Sequence, residues 1–317
     1  MKKRLFRSRL AVELERFIAF KRALGLKYES QVFILRSFDR FVARHAPRRG
    51  QLPYARLLRD WLGCKEGRRP RTVAVHLSLA REFFRYLGRS DPSVFVPGRD
   101  WGPWATGSRF VPRILSQAEV RALLRATKGL AGPRWRGRTF HMLVLLLYCT
   151  GLRFGEALRL TIDDVDLEQR VLRVRESKRK TRLVPFRDDL ARELTRYHRA
   201  RPSAGRTDAS FLCQPDGRPY GLTTASGVVR RLLRELGLKP PRGRIGPRPF
   251  DLRHSFAVRR LTCWYRAGAD LQAKLPLLSA YMGHDDLLGT ERYLRATPEL
   301  LATASRRFAA RTGMGVR

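Results

Sequence analysis

Acidic side chains are scarce in this sequence of 317 residues, which has 28 Asp and Glu against 66 Lys and Arg. The resulting net charge of +38 indicates a polyanionic partner. A nucleic acid fits best, because basic side chains that contact its phosphates release condensed counterions. Anionic membranes and acidic proteins are the alternatives. A genome rich in arginine codons would explain why only ten basic residues are lysine, but not the shortage of acidic residues.

Long apolar runs and paired cysteines are also missing. The longest apolar run, 140–149, is interrupted by His141 and is half of the ~20 residues that a membrane span needs. The basic start, 1–4, lacks the apolar stretch of a secretory signal, so we expect a cytoplasmic protein. The cysteines show no Cys-x-x-Cys pair, so we expect free thiols and no metal site built on them. They are Cys64, Cys149, Cys213 and Cys263.

Apolar residues make up 43% of the sequence, which excludes a disordered chain and allows a core in each of about two domains. In the first part of the chain, four segments show helical spacing of apolar residues and no strand pattern. They are 10–24, 30–45, a segment that starts at Pro53 and a segment that Pro70 precedes. We therefore predict a small all-α domain over 1–91, followed by a linker rich in Pro and Gly over 92–112.

The second domain is predicted to be mostly helical with one strand region. Ser116 and Glu119 form a capping-box pattern, which indicates a helix start just after the linker. The runs 171–175 and 182–185 alternate apolar and charged residues and enclose the basic segment 176–181. This pattern predicts a β-hairpin with a positively charged tip.

Three short blocks of the second domain contain residues suited to phosphate chemistry. They are Thr-Gly-Leu-Arg-x-x-Glu at 150–156, Asp-Leu-Arg-His-Ser-Phe-Ala at 251–257, and Gly-His followed nine residues after the His by Tyr at 283–293. Arginine presents fixed donors that match phosphate oxygens. Each block alone is ordinary, since Arg153 could simply pair with Glu156 within one helix turn.

In their order and spacing over about 140 residues, these blocks resemble the tyrosine recombinase (phage integrase) family. The segment 264–284 is similar to the recombinases carried by bacterial transposable elements. The resemblance implies a mainly α fold with a small β-sheet. An N-terminal four-helix SAM-like core-binding domain, 1–91, would bind DNA, and a linker, 92–112, would join it to a tyrosine-recombinase catalytic domain, 113–317.

The resemblance also implies a reaction. Tyr293 would attack a DNA phosphate and form a covalent phosphotyrosyl link. Arg153 and Arg253 would hold the non-bridging oxygens, and His284 would donate a hydrogen bond to the same phosphate. The guanidinium groups take the place of a Lewis acid, so neither a metal nor a cofactor is required.

The family keeps a catalytic lysine on the hairpin, where it protonates the departing 5′ oxygen. Its usual position falls here on Ser177, and a turn shorter by one residue makes Lys178 the match, with Lys180 as the alternative. We expect further DNA contacts from basic side chains of both domains. They are Arg179, Lys180, Arg182 and Arg71.

One position departs from the family pattern. The family usually has a histidine three residues before the second arginine, and this sequence has Phe250. A phenyl ring cannot accept a proton, so either water, His254 or the cationic surroundings of Tyr293 suffice, or strand cleavage is slowed. We expect activity to survive, because general-base help is typically worth ~10²–10⁴-fold. Phe250, His254 and Glu156 are expected to support the site from behind the residues that touch the phosphate.

The implied function is site-specific recombination for the integration or transposition of a mobile element. The implied assembly is a homo-tetramer on double-stranded DNA, alone or with related recombinases, at the nucleoid of a bacterial cytoplasm and without a membrane. The main alternative is a DNA-binding accessory protein, descended from a recombinase and weakened by Phe250. A type IB topoisomerase shares the chemistry, whereas the acidic residues do not match a metal-dependent transposase.

Overall fold

A computed structural model describes residues 5–64, 70–101, 113–177, 180–202, 210–243, 245–284 and 288–291. The chain divides into two units, Met1–Arg109 and Phe110–Arg317. The boundary falls inside the stretch predicted as a linker. No helix in the described ranges is long and apolar enough to cross a membrane.

Four helices form the first unit, as predicted. They are α1 (Ala11–Ala23), α2 (Glu29–His45), α3 (Tyr54–Gly63) and α4 (Pro70–Leu87). Each presents an apolar stripe inward, and aromatic rings from all four meet in the core, where Phe17 and Phe83 contact edge to face, as do Phe38 and Trp61. The helical spacing of the apolar residues is therefore explained by packing rather than by a ligand site.

The described part of the predicted linker, 92–101, packs against this first unit. Val94 is buried, and Phe95 and Trp101 contact each other and the helical core. The Arg81 guanidinium donates to two backbone carbonyls of the same stretch, those of Pro97 and Gly98. Burial of these three apolar side chains holds the stretch against the helices, although its Pro and Gly content is typical of a linker.

The second unit contains the remaining described helices. They are α5 (Gln117–Ala126), α6 (Arg134–Thr150), α7 (Phe154–Arg159), α8 (Asp188–Ala200), α9 (Leu222–Glu235), α10 (Asp251–Arg266), α11 (Leu271–Met282) and α12 (Leu288–Glu291). The capping box is present, since the Glu119 amide donates to Ser116 Oγ and the Ser116 amide donates to Glu119 Oε2. Helix α6 is buried along most of its length and packs against α10.

The predicted hairpin is present as part of a three-stranded antiparallel sheet. Its strands are β1 (Val165–Asp166), β2 (Val171–Ser177) and β3 (Lys180–Pro185), in that order. Val174 pairs with Arg182 and Ser177 with Lys180, and the register shifts between these pairs. Both hairpin strands extend beyond their predicted ends because backbone pairing continues into the basic segment. The mainly α fold with a small sheet is confirmed.

Candidate functional site

Three arginines converge on the C-terminal end of α11. The last carbonyls of a helix have no partner within it and have partial negative charge. Here three consecutive carbonyls, of Tyr281, Met282 and Gly283, form what we call the α11 carbonyl row. The bonds run from Arg182 Nε to Tyr281 O at 3.1 Å, from Arg253 Nη2 to Met282 O at 2.8 Å, and from Arg153 Nη2 to Gly283 O at 2.5 Å.

The glycine of the first motif brings Arg153 to this row. Gly151 ends α6 in the left-handed conformation, with φ 63°, and a Cβ there would lie 2.4 Å from the Phe256 ring. The chain then turns so that Arg153 precedes α7. The Gly151 carbonyl also accepts a 2.5 Å hydrogen bond from Nη1 of the buried Arg253. The first motif thus positions both arginines.

Glu156 is the buried counter-charge of the site. Its side chain is 1% exposed, and its Oε1 accepts from Arg153 Nη1 at 2.6 Å. Arg182 also donates to both carboxylate oxygens, at 2.7 and 3.2 Å. A buried carboxylate is tolerated only when it is paired and hydrogen-bonded, and this one is. Arg153 therefore pairs with Glu156 within one helix turn and also donates to the carbonyl at the end of α11.

His284 follows the carbonyl row directly. Its amide donates to Ser279 O at 3.0 Å, and its Nδ1 lies 2.7 Å from Thr290 Oγ1 of α12. Gly283, just before it, adopts φ 66° and allows the chain to leave α11 toward this position. The imidazole is therefore held by Thr290, on the residue that directly follows the carbonyl row.

Three of the five predicted catalytic residues, Arg153, Arg253 and His284, thus meet at one end of α11. Lys178 and Tyr293 lie outside the described residues, as does Arg179 among the predicted DNA contacts. Lys180 begins β3, with its side chain outside the described part. Arg71 is the second residue of α4 and is exposed on the first unit.

Arg182 lies elsewhere than we expected for a DNA-binding arginine. Its side chain is 13% exposed, and its guanidinium donates to Glu156 and to the carbonyl row. The alternation of side chains along the strand would have predicted this inward position. Side chains two residues apart share a face of the strand, and Val184 is fully buried. Arg182 therefore faces inward.

Phe250 directly precedes the first residue of α10, and its side chain is 38% exposed. Its ring contacts His254 edge to face, with centroids 4.9 Å apart. Burial, followed by the positive charges of Arg248, Arg253 and His284, lowers the pKa of His254 to about 4. Asp251 Oδ1, 3.9 Å from His254 Nε2, does not offset this effect. His254 is therefore neutral at pH 7.

The donors of this site suit a tetrahedral oxyanion. Two guanidinium groups are fixed through adjacent carbonyls, and an imidazole follows on the same backbone segment. Within the described ranges, no group of three His, Cys, Asp or Glu residues is placed to hold a metal ion.

Comparison with known proteins points to one family. Residues 113–299 match the Phage integrase family. The Sinorhizobium fredii protein y4rE, described as an integrase/recombinase, is 34% identical over 304 residues, which cover 94% of this chain and 95% of y4rE.

Two solved structures share the fold. The Tn1549 transposon integrase in complex with transposon right-end DNA has a TM-score of 0.65 at 19% identity, covering 92% of this chain and 98% of that one. A lambda integrase tetramer bound to a Holliday junction has a TM-score of 0.63 at 17% identity, covering 87% and 77% of the two chains.

Replacing Gly283 by alanine should displace the Arg182 guanidinium from the carbonyl row and destabilise the fold. The new Cβ would lie 2.8 Å from Arg182 Nη1, and the left-handed backbone would be strained, so we expect a loss of about 1–3 kcal/mol in unfolding free energy. The matched control is Gly227→Ala inside α9, where no atom lies within 4 Å and alanine should stabilise by about 0.5–1 kcal/mol. Urea unfolding measures both, and equal effects of the two substitutions would contradict the expected clash.

His254 should make stability fall in acid. The unfolded chain binds a proton at this residue near pH 6.5, but the folded protein does so only near pH 4, so folding stability is lost between these values. We expect wild type to lose about 2–3 kcal/mol more than His254→Gln over this window. If the free energy of unfolding had the same pH dependence in wild type and His254→Gln, the pKa of His254 would not be lowered in the folded protein.

Proposed function

Because the chain belongs to the phage integrase family of tyrosine recombinases, we propose that it is a site-specific DNA recombinase that works through a 3′-phosphotyrosyl intermediate. The observation that supports this most directly is the meeting of Arg153, Arg253 and His284 at the end of α11. These residues come from three separate stretches of the chain. Their shared position is what a single phosphate requires.

The arginines stabilise the charge that builds on the non-bridging oxygens during strand cleavage. Arg253 is 1% exposed, and Arg153 is anchored by Glu156 and by Gly283 O. Donors that are already fixed need no reorganisation when the transition state forms, and they act more strongly away from water. The carbonyl row therefore contributes to catalysis by holding the guanidinium planes in place.

Tyr293 supplies the nucleophile, and a hairpin lysine supplies the proton. A free phenol has a pKa near ~10 and needs a cationic site to react at neutral pH. The phenol loses its proton to water, its oxygen bonds to phosphorus, the bond from phosphorus to the 5′ oxygen breaks, and Lys178 protonates that oxygen. The phosphotyrosyl link conserves the bond energy for rejoining. Lys180 remains the alternative proton donor.

The general-base position is occupied by Phe250, beside the neutral His254. We propose that cleavage proceeds without a histidine at this position and is slower for it, since the arginines provide most of the electrostatic stabilisation. The same feature favours the alternative function, an accessory protein that binds DNA without cutting it.

The assembly that we infer is a homo-tetramer that joins two duplexes. The net charge of +38 supplies the affinity for DNA, and the shared fold of the lambda integrase tetramer on a Holliday junction supports the arrangement. Its place of action would be the cytoplasm, at the nucleoid, where the DNA lies. Its biological role would be to integrate or transpose a mobile element, as the likeness to a transposon integrase suggests.

A nicked suicide duplex tests the proposed function. The probe carries the DNA end that flanks the coding region. A nick near the cleavage site releases a short DNA fragment after cleavage, so the strand cannot be rejoined and the covalent adduct accumulates. We expect wild type to form the adduct in EDTA and Tyr293→Phe to form none, because only the phenol oxygen attacks phosphorus. Tyr265→Phe, which removes a hydroxyl from α10, should leave the adduct unchanged.

The other results of this assay separate the alternatives. Tight binding without an adduct would assign the chain to the accessory class. Relaxation of supercoiled DNA by a monomer, without regard to sequence, would assign it to the topoisomerases.

Phe250→His should raise the cleavage rate by up to ~10²-fold or leave it unchanged, because the ring nitrogen restores a proton acceptor. Phe250→Leu is the control, since it keeps an apolar side chain at this position and adds no acceptor. Single-turnover adduct formation compares the two. If the histidine variant lost all activity, the phenyl ring would be required for packing against His254.

A further inference from the structure

We propose that Arg182 is a positioning residue of the strand-cleavage reaction, an inference that rests on the proposed function. Its role is to hold Arg153 and the end of α11 in one geometry and to tie both to the hairpin. It would act through Glu156 and the carbonyl row, without contacting the phosphate.

The hydrogen bonds of Arg182 join two parts of the site. Nη1 and Nη2 donate to the two oxygens of Glu156, and Nε donates to Tyr281 O. Glu156 in turn binds Arg153, and the next two carbonyls of the row bind Arg253 and Arg153. A shift of Arg182 would therefore reach both phosphate-binding arginines.

The place of Arg182 in β3 adds a link to the hairpin. Arg182 pairs with Val174 of β2, and only a few residues separate it from Lys178. Strand β3, which begins at Lys180, is thus bonded to α11 through Tyr281, 99 residues after Arg182. One side chain fixes the distance between the hairpin and the arginine pair.

Close packing around the guanidinium leaves little freedom for another arrangement. A Cβ on Gly283 would lie 2.8 to 3.0 Å from three atoms of the guanidinium group, so the group lies directly against the backbone that carries Arg153's acceptor. Lysine cannot replace this contact, because its single ammonium group lacks the planar fork that bonds a carboxylate and a carbonyl together.

The negative charge of Glu156 is shared between two guanidinium groups, those of Arg153 and Arg182. With Arg182 removed, this carboxylate of 1% exposure would lose two hydrogen bonds from a guanidinium group, while the side chain and the amide of Arg153 would still donate to it. Without Arg182 to share its charge, Glu156 would attract Arg153 more strongly and shift it from the orientation that the phosphate needs. Small displacements of a positioning group are costly for a reaction that requires fixed donors.

The test measures adduct formation and DNA affinity separately, with the nicked suicide duplex at saturating concentration. We expect Arg182→Gln to slow cleavage about 100-fold and Arg182→Lys about tenfold, while the DNA Kd stays within about threefold of wild type. The control is Arg196→Gln, which removes the same charge from a side chain of 74% exposure in α8 and should leave the rate unchanged.

A double-mutant cycle identifies the route of the effect. In an Arg153→Lys background, Arg182→Gln should slow cleavage by less than about threefold, because the group that it positions is already altered. Full additivity of the two rate losses would overturn the inference.

Each remaining outcome also decides the question. A loss confined to Kd, with a shallower salt dependence, would show that Arg182 contacts DNA directly. Unfolding of both Arg182 variants would assign the residue to stability alone. Wild-type rates in both variants would overturn this inference and leave the proposed function intact, whereas a wild-type chain that forms no adduct would overturn both.

Discussion

The site depends on one interaction, the binding of three arginine side chains by three consecutive carbonyls at the end of α11. A helix terminus is a natural place for cations, because its unpaired carbonyls have partial negative charge. Arg153, Arg182 and Arg253 come from the start of α7, from β3 and from the first turn of α10, yet they meet within three residues of α11. The helix end therefore serves as the common reference for the site.

This arrangement resolves a problem that the charge of the protein creates. Arginines placed side by side repel one another, and a chain with a net charge of +38 has few acidic groups to separate them. The buried carboxylate of Glu156 neutralises part of the positive charge of the cluster. The backbone carbonyls stabilise the guanidinium groups through their partial negative charge, without a formal charge of their own. The remaining positive charge is available for an anionic group.

Much of the architecture followed from patterns along the chain. Helical periodicity located the four N-terminal helices within a few residues, and the alternation around the basic segment located the hairpin. The motifs also named Arg153, Arg253 and His284. The stretch 92–101 differed, because three apolar side chains fold it onto the first unit. Arg182 differed as well, because its charge indicated the surface while its strand register placed it inside.

The sequence by itself determined the fold class, the charge that points to nucleic acid and the residue types that phosphate chemistry needs. These depend on local periodicity and on short motifs, which neighbouring residues decide. Only the tertiary structure decided which acceptor each arginine uses and that Arg182 belongs to the same cluster. The bonds to the carbonyl row join residues 29 to 130 positions apart, and no local pattern specifies contacts that form only when distant segments pack together.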